Sequence, residues 1–263
     1  MPPPLIPDEL INVLRSADSI AALTGAGVSA ESGIPTFRDA LTGLWVKYDP
    51  KKLATPEAFR EDPARVTRWY DERRLMIGKC RPNAGHDALA RMERIITNRG
   101  GLFTLITQNI DGLHQASGSE NVLELHGSIW EWICNKTQKR VEFRKSQPIG
   151  EYPPRLEDGG MLRPSVVWFG EALPAGVMER AEEAVRARDL FMMIGTSAEV
   201  YPAAGLVDVA GHYAARCGGT VNTVEVNTEK TSASRRVTWS IRGKSGEILP
   251  ALVERAFGTE SGL

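Results

Sequence analysis

Three short polar segments each follow an apolar run, and their residue types could together hold a dinucleotide and move a proton. Residues 24–33 read TGAGVSAESG, and such glycine turns let backbone N–H groups approach a pyrophosphate. Residues 107–112 read TQNIDG, and polar groups at a strand end point into the crevice where α/β sheets bind ligands. His126, in the LELHG of residues 123–127, is the side chain type most readily poised as a general base.

Each segment also has a structural explanation. Glycine turns after strands are common and many bind nothing, and Asn, Asp and Gly favour helix caps and turns. A histidine that ends a strand is more often structural than catalytic, so His126 alone decides little. For His86 at a helix start, and for His114 and His212 within predicted helices, we favour structural roles.

The surrounding sequence alternates short apolar runs with amphipathic stretches of helical length, which is typical of an α/β fold with a parallel sheet. Asp8 and Asn83 are predicted helix caps. We predict one catalytic domain over residues 1–263, with a Rossmann-like doubly wound parallel sheet, a helical insertion and a smaller inserted module. The predicted strands are 19–23, 102–106, 122–125, 190–194 and 221–226, and later helices cover 175–187, 202–216 and 247–257. The core takes in about 8–40, 81–127 and 161–257, the helical insertion about 41–80, and the small module about 128–160.

Composition narrows the function class. The 263 residues carry 32 Lys and Arg against 33 Asp and Glu, so the basic excess of a nucleic-acid-binding protein is missing. No apolar run approaches the roughly 18 residues of a membrane span. Three separated cysteines fit a reducing compartment, and the first residues lack a secretory pattern. We therefore expect a cytoplasmic protein, a monomer, with neither nucleic acid nor membrane as partner.

Taken in order, the three polar segments resemble the sirtuin family of NAD-dependent protein deacylases. Further matches are GIPTFR at 33–38, PNAGH at 82–86, LRPSVVWFGE at 162–171 and GTS at 195–197. The resemblance runs from about residue 20 to 230. It implies that NAD is consumed as a co-substrate and that acylated-lysine peptides and proteins are the substrates. The products would be nicotinamide and 2′-O-acyl-ADP-ribose.

The resemblance also implies roles for individual residues. His126 would be the general base, with Asn109 and Asp111 in the catalytic set. Residues 167–171 resemble the strand that pairs with the substrate backbone, which is recognition by strand addition. That strand comprises Val167, Trp168, Phe169, Gly170 and Glu171. The implied cofactor-binding residues are Gly25, Ala26, Gly27, Ser29, Ala30, Thr36, Phe37, Arg38, Trp45, Gln108, Asn109, Ile110, Asp111, His126, Gly195, Thr196, Ser197, Asn227 and Ser245.

Tyr70 and Arg73 are three residues apart, so on a helix they share one face. A phenol and a guanidinium can together hold a carboxylate, the arginine through paired hydrogen bonds. This Tyr-x-x-Arg resembles the class III branch of the sirtuins, which removes succinyl, malonyl and glutaryl groups from lysine. Thr36 and Ala40 would leave room for the longer acyl chain. The resemblance thus favours a desuccinylase or demalonylase.

Other interpretations stay open. The arginines at 68, 73 and 74 could form a solvated helix face paired with the acidic residues 71 and 72. The chain would then be an ordinary NAD-dependent deacetylase. From another class, it could be a non-catalytic NAD-sensing or interaction module, although such a module needs no general base. An NAD glycohydrolase or ADP-ribosyltransferase would use the same cleft with a different nucleophile.

Sirtuins usually hold a structural zinc in the small module with two Cys-x-x-Cys pairs. Here the first pair reads CNKT from Cys134, the next cysteine is Cys217, and no histidine lies between His126 and His212. Four thiolates cannot assemble from one local cysteine, so we predict no structural zinc. The residues predicted to form a compensating apolar core are Trp130, Trp132, Ile133, Val141 and Phe143.

Overall fold

In the computed structural model, which describes residues 5–36, 52–186, 188–217 and 221–259, six parallel strands form one sheet. The strands are β1 (Ser19–Thr24), β2 (Leu102–Thr107), β3 (Val122–Glu124), β7 (Leu190–Ile194), β8 (Asn222–Asn227) and β9 (Trp239–Arg242). Their spatial order is β3-β2-β1-β7-β8-β9. The order reverses at β1, which pairs with β2 on one side and β7 on the other. This reversal places a ligand crevice at the carboxyl ends of the central strands.

Helices cover both faces of this sheet, which confirms the doubly wound prediction. The helices are α1 (Asp8–Ser16), α2 (Pro56–Glu61), α3 (Pro63–Ile77), α4 (Ala84–Asn98), α5 (Leu113–Ala116), α6 (Val177–Val185), α7 (Leu206–Cys217) and α8 (Ser245–Phe257). One apolar cluster joins α1, α4 and α8 to one face of the sheet. A second joins α6 and α7 to the other face. The central strands β1, β2, β7 and β8 are buried on both sides along most of their length, which explains their uninterrupted apolar runs.

The five strands predicted for the core sheet hold to within a residue or two, but β9 was not predicted. This strand has only four residues and is partly buried, so its sequence contains no apolar run. At the first helix the expected cap is wrong. Pro7 occupies the N-cap position and Asp8 lies in the first turn, where its charge favours the helix dipole. Asn83 does cap α4: its side chain accepts from the Gly85 N–H, and its own backbone N–H donates to His86 Nδ1.

The small module contains β4 (Gly127–Cys134), β5 (Arg140–Glu142) and β6 (Leu162–Val166) in an antiparallel sheet of order β5-β4-β6. Pairing of β6 with β4 moves the boundary of the module. We predicted that the core resumes at 161, whereas residues 162–166 belong to the small sheet. The predicted boundary was wrong because β4 pairs most extensively with β6, which lies after the irregular stretch and not within it.

An apolar cluster connects the small module to the helical insertion. Trp132 is fully buried and lies edge-on to Phe143, with ring centroids 5.5 Å apart. Trp130 and Val141 pack against the same cluster, as predicted, whereas Ile133 is outside it. Ile133 follows Trp132 on β4, so its side chain points to the opposite face. Within the described ranges, no helix is both long and apolar enough to cross a membrane.

Candidate functional site

A cleft of about 1350 Å³ lies between the carboxyl ends of the central strands and the small module. Every predicted site residue that the structure describes lines it. From the core these are Gly25, Ala26, Gly27, Ser29, Ala30, Thr36, Gln108, Asn109, Ile110, Asp111, His126, Gly195, Thr196, Ser197, Asn227 and Ser245. From the helical insertion they are Tyr70 and Arg73, and from the segment after the small sheet they are Val167, Trp168, Phe169, Gly170 and Glu171. Phe37, Arg38, Ala40 and Trp45 lie outside the described residues.

The glycine turn after β1 packs directly on the turn after β7. The Gly27 N–H donates to the Gly195 carbonyl at 2.9 Å, and a Cβ on Gly27 would lie 2.7 Å from that oxygen. A Cβ on Gly25 would lie 2.9 Å from the same oxygen. Both glycines are therefore required by close backbone approach. The Gly25 and Gly195 turns together form one narrow floor of the cleft.

Beside this floor, a buried polar cluster holds the turn after β2. Asn109 Nδ2 donates to the Gly25 carbonyl at 3.2 Å and to Ser29 Oγ at 3.1 Å. Ser29 Oγ donates to Asp111 Oδ2 at 2.7 Å, and the Leu113 N–H donates to Asp111 Oδ1 at 2.9 Å. Burial raises the pKa of Asp111, and these two donors oppose the rise. The catalytic candidates Asn109 and Asp111 are thus fixed in orientation.

Two further hydrogen bonds join the turns after β2, β7 and β8 along the cleft. Gln108 Nε2 donates to Thr196 Oγ1 at 2.9 Å, which joins the turns after β2 and β7. Asn227 Nδ2 donates to the Thr196 carbonyl at 2.8 Å and joins β8 to the same turn. These contacts tie three strand ends together. Gln108, Thr196 and Asn227 thus form a polar wall beside the glycine turns.

His126 lies between β3 and β4, where the core sheet meets the small module. Its Nδ1 is 2.9 Å from the Gln108 carbonyl, which fixes Nδ1 as the protonated nitrogen in the neutral ring. Burial lowers the pKa of His126, and the bond to Gln108 opposes that shift. The ring is therefore neutral at physiological pH with Nε2 as an acceptor. This is the state that a general base needs.

Two other histidines lie behind the floor, in the structural positions we favoured. The rings of His86 and His114 are 4.8 Å apart. His114 Nε2 is 2.9 Å from Thr24 Oγ1, and His86 Nε2 is 3.4 Å from Ser29 Oγ. Burial lowers the pKa of His86 to about 4 and of His114 to about 3. Both are neutral hydrogen-bonding groups of the interior.

Tyr70 and Arg73 lie on the face of α3 that turns into the cleft. They are only 4% and 6% exposed, so this part of α3 is not the solvated face of the alternative interpretation. The Arg73 guanidinium stacks on the Trp69 ring at 4.6 Å, and the Tyr70 hydroxyl accepts from Trp168 Nε1 at 3.1 Å. Burial raises the pKa of Tyr70 to about 12 and lowers that of Arg73 to about 10. At neutral pH the cleft therefore presents a neutral phenol and a cationic guanidinium.

Residues 167–171 line the cleft, but they do not form the predicted strand, because β6 ends at Val166. Glu171 folds back and accepts from Arg163 Nη2 and from the Trp168 N–H, each at 2.9 Å. Arg163 in turn stacks on the Trp168 ring at 3.3 Å. The local side chains thus hold a turn. Glu171 therefore stabilises the turn through these hydrogen bonds.

The side chains of the small module do not fit the zinc site that sirtuins usually carry. Cys134 is fully buried, and a Cβ on Gly160 would lie 2.4 Å from its sulfur. Across the part of the chain that the structure describes, no three His, Cys, Asp or Glu side chains converge as metal ligands. The absence of zinc stays a prediction.

Two features of the site were not predicted. Glu31 lines the cleft and accepts from the Gly246 N–H at 2.8 Å, at the start of α8. The second feature is the burial of the Asp71–Arg74 ion pair on α3, which the alternative interpretation placed on a solvated helix face. The sequence does place Arg74 three residues after Asp71, a spacing that allows pairing on a helix. It contains no sign that the pair is buried.

Comparison with known proteins agrees with this geometry. A model of the Sir2 family matches residues 25–202. The NAD-dependent protein deacylase of Aquifex aeolicus is 49% identical over 219 residues, covering 82% of this chain and 86% of that protein. NAD-dependent protein deacylase 2 of Pyrobaculum aerophilum is 46% identical and covers 92% and 93% of the two chains.

Solved structures give the same result. A Sir2 homologue in complex with ADP-ribose has a TM-score of 0.87 at 40% identity, covering 95% of this chain and 96% of that one. A Sir2 homologue in complex with NAD has a TM-score of 0.85 at 40% identity, covering 97% and 95%. A Sir2 protein bound to an acetylated peptide has a TM-score of 0.81 at 27% identity, covering 96% and 99%.

Proposed function

Since the chain belongs to the Sir2 family of NAD-dependent protein deacylases, we propose that it acts preferentially on lysine carrying an acidic acyl group. The acyl groups of this class are succinyl, malonyl and glutaryl. NAD is the co-substrate, and the products are the free lysine side chain, nicotinamide and 2′-O-acyl-ADP-ribose. The observation that carries the proposal is the burial of Tyr70 and Arg73 in the wall of the cleft.

The electrostatics of that wall support an anionic ligand. Burial disfavours the charge on Arg73, which its pKa of about 10 reflects, yet the group stays protonated at neutral pH. A carboxylate bound beside it would offset this desolvation through a charge-assisted hydrogen bond. The pKa of Tyr70, raised to about 12, keeps its hydroxyl proton available for donation. Beyond the amide carbonyl that every acyl-lysine shares, an acetyl group has no oxygen that could use either contact.

The rest of the cleft supports the binding of NAD and its reaction. A related Sir2 structure holds NAD, and another holds ADP-ribose. We assign the glycine turns at Gly25 and Gly195 to the diphosphate, because both line the cleft and carry no side chain that would keep a ligand from the backbone. The N–H groups of Gly25, Gly27 and Gly195 themselves donate to backbone carbonyls and hold the two turns in place. We assign Gln108, Asn109 and Asp111 to the nicotinamide ribose, and the outer wall near Asn227 to the adenosine.

His126 is the proposed general base, because it lines the cleft and its Nδ1 is held by the Gln108 carbonyl, which leaves Nε2 as the acceptor of the neutral ring. In the family mechanism the acyl oxygen attacks the ribose carbon as nicotinamide leaves, and a base then removes a ribose hydroxyl proton. Such a reaction depends on orientation and a dry cleft more than on a strong base. A pKa below the usual value of histidine keeps His126 unprotonated at neutral pH.

Residues 167–171 are proposed to border the acyl-lysine peptide. Four of their N–H groups already donate within the chain, so strand addition here requires the turn to rearrange. A related Sir2 protein is bound to an acetylated peptide, which supports peptides carrying acyl-lysine as substrates. In this chain Trp168 also connects the turn to Tyr70. The peptide and the acyl group would therefore be read by one connected set of side chains.

The test is the initial rate of NAD consumption with one peptide sequence bearing acetyl-, butyryl- or succinyl-lysine. Butyryl and succinyl have the same number of carbons and differ in the terminal carboxylate, so their comparison separates charge from length. We expect kcat/KM to be highest for succinyl-lysine and the product mass to be that of succinyl-ADP-ribose. Equal rates for butyryl and succinyl would contradict the carboxylate pocket while leaving deacylation intact.

A further inference from the structure

Two charged side chains on α3 are buried although the proposed reaction does not use them. Asp71 and Arg74 have side chains that are 0% exposed. Asp71 Oδ1 accepts from Arg74 Nε at 2.9 Å and from Arg74 Nη2 at 2.6 Å. A buried ion pair contributes little net stability, because desolvation cancels most of the attraction, and its best-attested use is to fix one geometry.

The remaining hydrogen bonds of the pair all go to residues 144–152 of the small module, called here the tether segment. Arg74 donates to the carbonyls of Arg144 and of Gln147, the latter at 2.6 Å. Asp71 Oδ2 accepts from the Ile149 N–H at 3.0 Å and from the Tyr152 hydroxyl. Both oxygens of the carboxylate and all three nitrogens of the guanidinium are thus used. The pair fastens the tether segment to α3.

The same stretch of α3 carries the acyl-recognition residues. Asp71 follows Tyr70 directly, and Arg74 follows Arg73 directly. Neighbouring residues on a helix differ by about 1.5 Å in height and about 100° in direction. One face of α3 therefore presents Tyr70 and Arg73 to the cleft, while the adjoining face is fastened to the tether segment. A shift of the helix against the module would displace both residues in the cleft.

The tether segment also reaches the turn after β2. Lys145 lies over the Trp130 ring at 4.6 Å, and Trp130 Nε1 donates to the Asp111 carbonyl at 2.8 Å. A Cβ on Gly78 would lie 2.6 Å from the Lys145 carbonyl, so α3 ends in close contact with the segment. The tether segment thus contacts both α3, which carries Tyr70 and Arg73, and the Trp130 indole. That indole holds the turn after β2, called here the catalytic turn because it carries Asn109 and Asp111.

We propose that Asp71 and Arg74 are positioning residues that set the acyl selectivity, by holding Tyr70 and Arg73 in register with the catalytic turn through the tether segment. The inference rests on the proposed function, because it names how that pocket is held. Neither residue touches the substrate. Loosening the pair raises the KM for succinyl-lysine peptide while leaving the binding of NAD intact.

Tyr152→Phe tests this proposal with the smallest change in structure. It removes one donor to Asp71 and keeps the ion pair and the ring. We expect the ratio of kcat/KM for succinyl- over acetyl-lysine peptide to fall about 2- to 10-fold, the effect of one hydrogen bond, mainly through KM for the succinyl peptide. Asp71→Asn, which weakens the hold on Arg74, should lower the ratio further. Arg65→Met, on an exposed part of α3, is the matched control and should leave the ratio unchanged.

A double-mutant cycle with Arg73→Met separates positioning from general loss of structure. If the pair acts through Arg73, then Tyr152→Phe has no further effect on the ratio once Arg73 is Met. The inference is overturned if the two effects on the ratio add. It is also overturned if Tyr152→Phe and Asp71→Asn leave the ratio intact, or if they slow both peptides equally.

The same cycle distinguishes failure of this inference from failure of the proposed function. Arg73→Met alone reports on the function. If it leaves the succinyl-to-acetyl ratio unchanged, the carboxylate pocket is wrong and the positioning role fails with it. If Arg73→Met collapses the ratio while Tyr152→Phe and Asp71→Asn do not change it, only the positioning role fails. Should Asp71→Asn not fold, Tyr152→Phe decides the question by itself.

Discussion

The substitution Arg73→Met removes the buried cation of the cleft wall and keeps a side chain of similar length. In the proposed complex, the acyl carboxylate would then lie in a wall where the arginine was only 6% exposed, without its charge partner. Breaking a buried ion pair by removing one partner costs about 3–5 kcal/mol. Since about 1.4 kcal/mol corresponds to a tenfold change in rate, the lower end predicts a loss of about 100-fold in kcat/KM for succinyl-lysine.

The acetyl-lysine reaction should respond differently to the same change. An acetyl group makes no charged contact, so we expect kcat/KM to stay within about threefold of the wild type, as for a near-neutral substitution. The assay measures NAD consumption over a series of peptide concentrations for both substrates. Thermal unfolding with and without NAD checks that the fold is kept. A matched loss on both peptides would refute the reasoning and give Arg73 a structural role.

Four further predictions concern the cofactor site, the metal and pH. His126→Ala should abolish turnover yet keep the NAD-induced rise in Tm; turnover near the wild-type rate would exclude His126 as the base. Gly27→Ala should abolish the NAD-induced rise in Tm, because its Cβ would lie 2.7 Å from a backbone oxygen, and undiminished NAD binding would show that this turn is not the floor. Metal analysis should find less than one zinc per chain, and a chelator should leave Tm unchanged; unfolding by the chelator would show a metal site. Unfolded histidine takes up a proton near pH 6.5, whereas the pKa values of His86 and His114 in the fold are about 4 and about 3. The free energy of unfolding should therefore fall as the pH drops from about 6.5 to about 4, and His114→Gln should flatten this fall as followed by urea titration; an identical slope in the variant would contradict it.

The sequence was sufficient for those parts of the site that strand ends assemble. Parallel strands bring their carboxyl ends to one edge, so segments at 24–33, 107–112 and 195–197 had to meet once the strands were identified. The spacing of Tyr70 and Arg73 was likewise local, since three residues on a helix share a face. Both inferences needed only the periodicity of one element.

The parts that were not predicted depend on distant partners. The pairing of β6 with β4 joins residues on both sides of an irregular stretch, so the module boundary could not be read from either strand alone. The turn at 167–171 depends on Arg163, which draws Glu171 back by a pair of hydrogen bonds. Burial of Asp71 depends on backbone groups of the tether segment, and backbone carbonyls and N–H groups give no signal in a sequence.

The central claim is tested most directly by the mass of the ADP-ribose product formed from NAD and a succinyl-lysine peptide. The wild-type chain should yield succinyl-ADP-ribose and free lysine peptide, with kcat/KM at least about tenfold above that for the acetyl-lysine form of the same peptide, as expected for one charge-assisted contact. An acetyl preference, or free ADP-ribose with the succinyl peptide unchanged, would contradict the account.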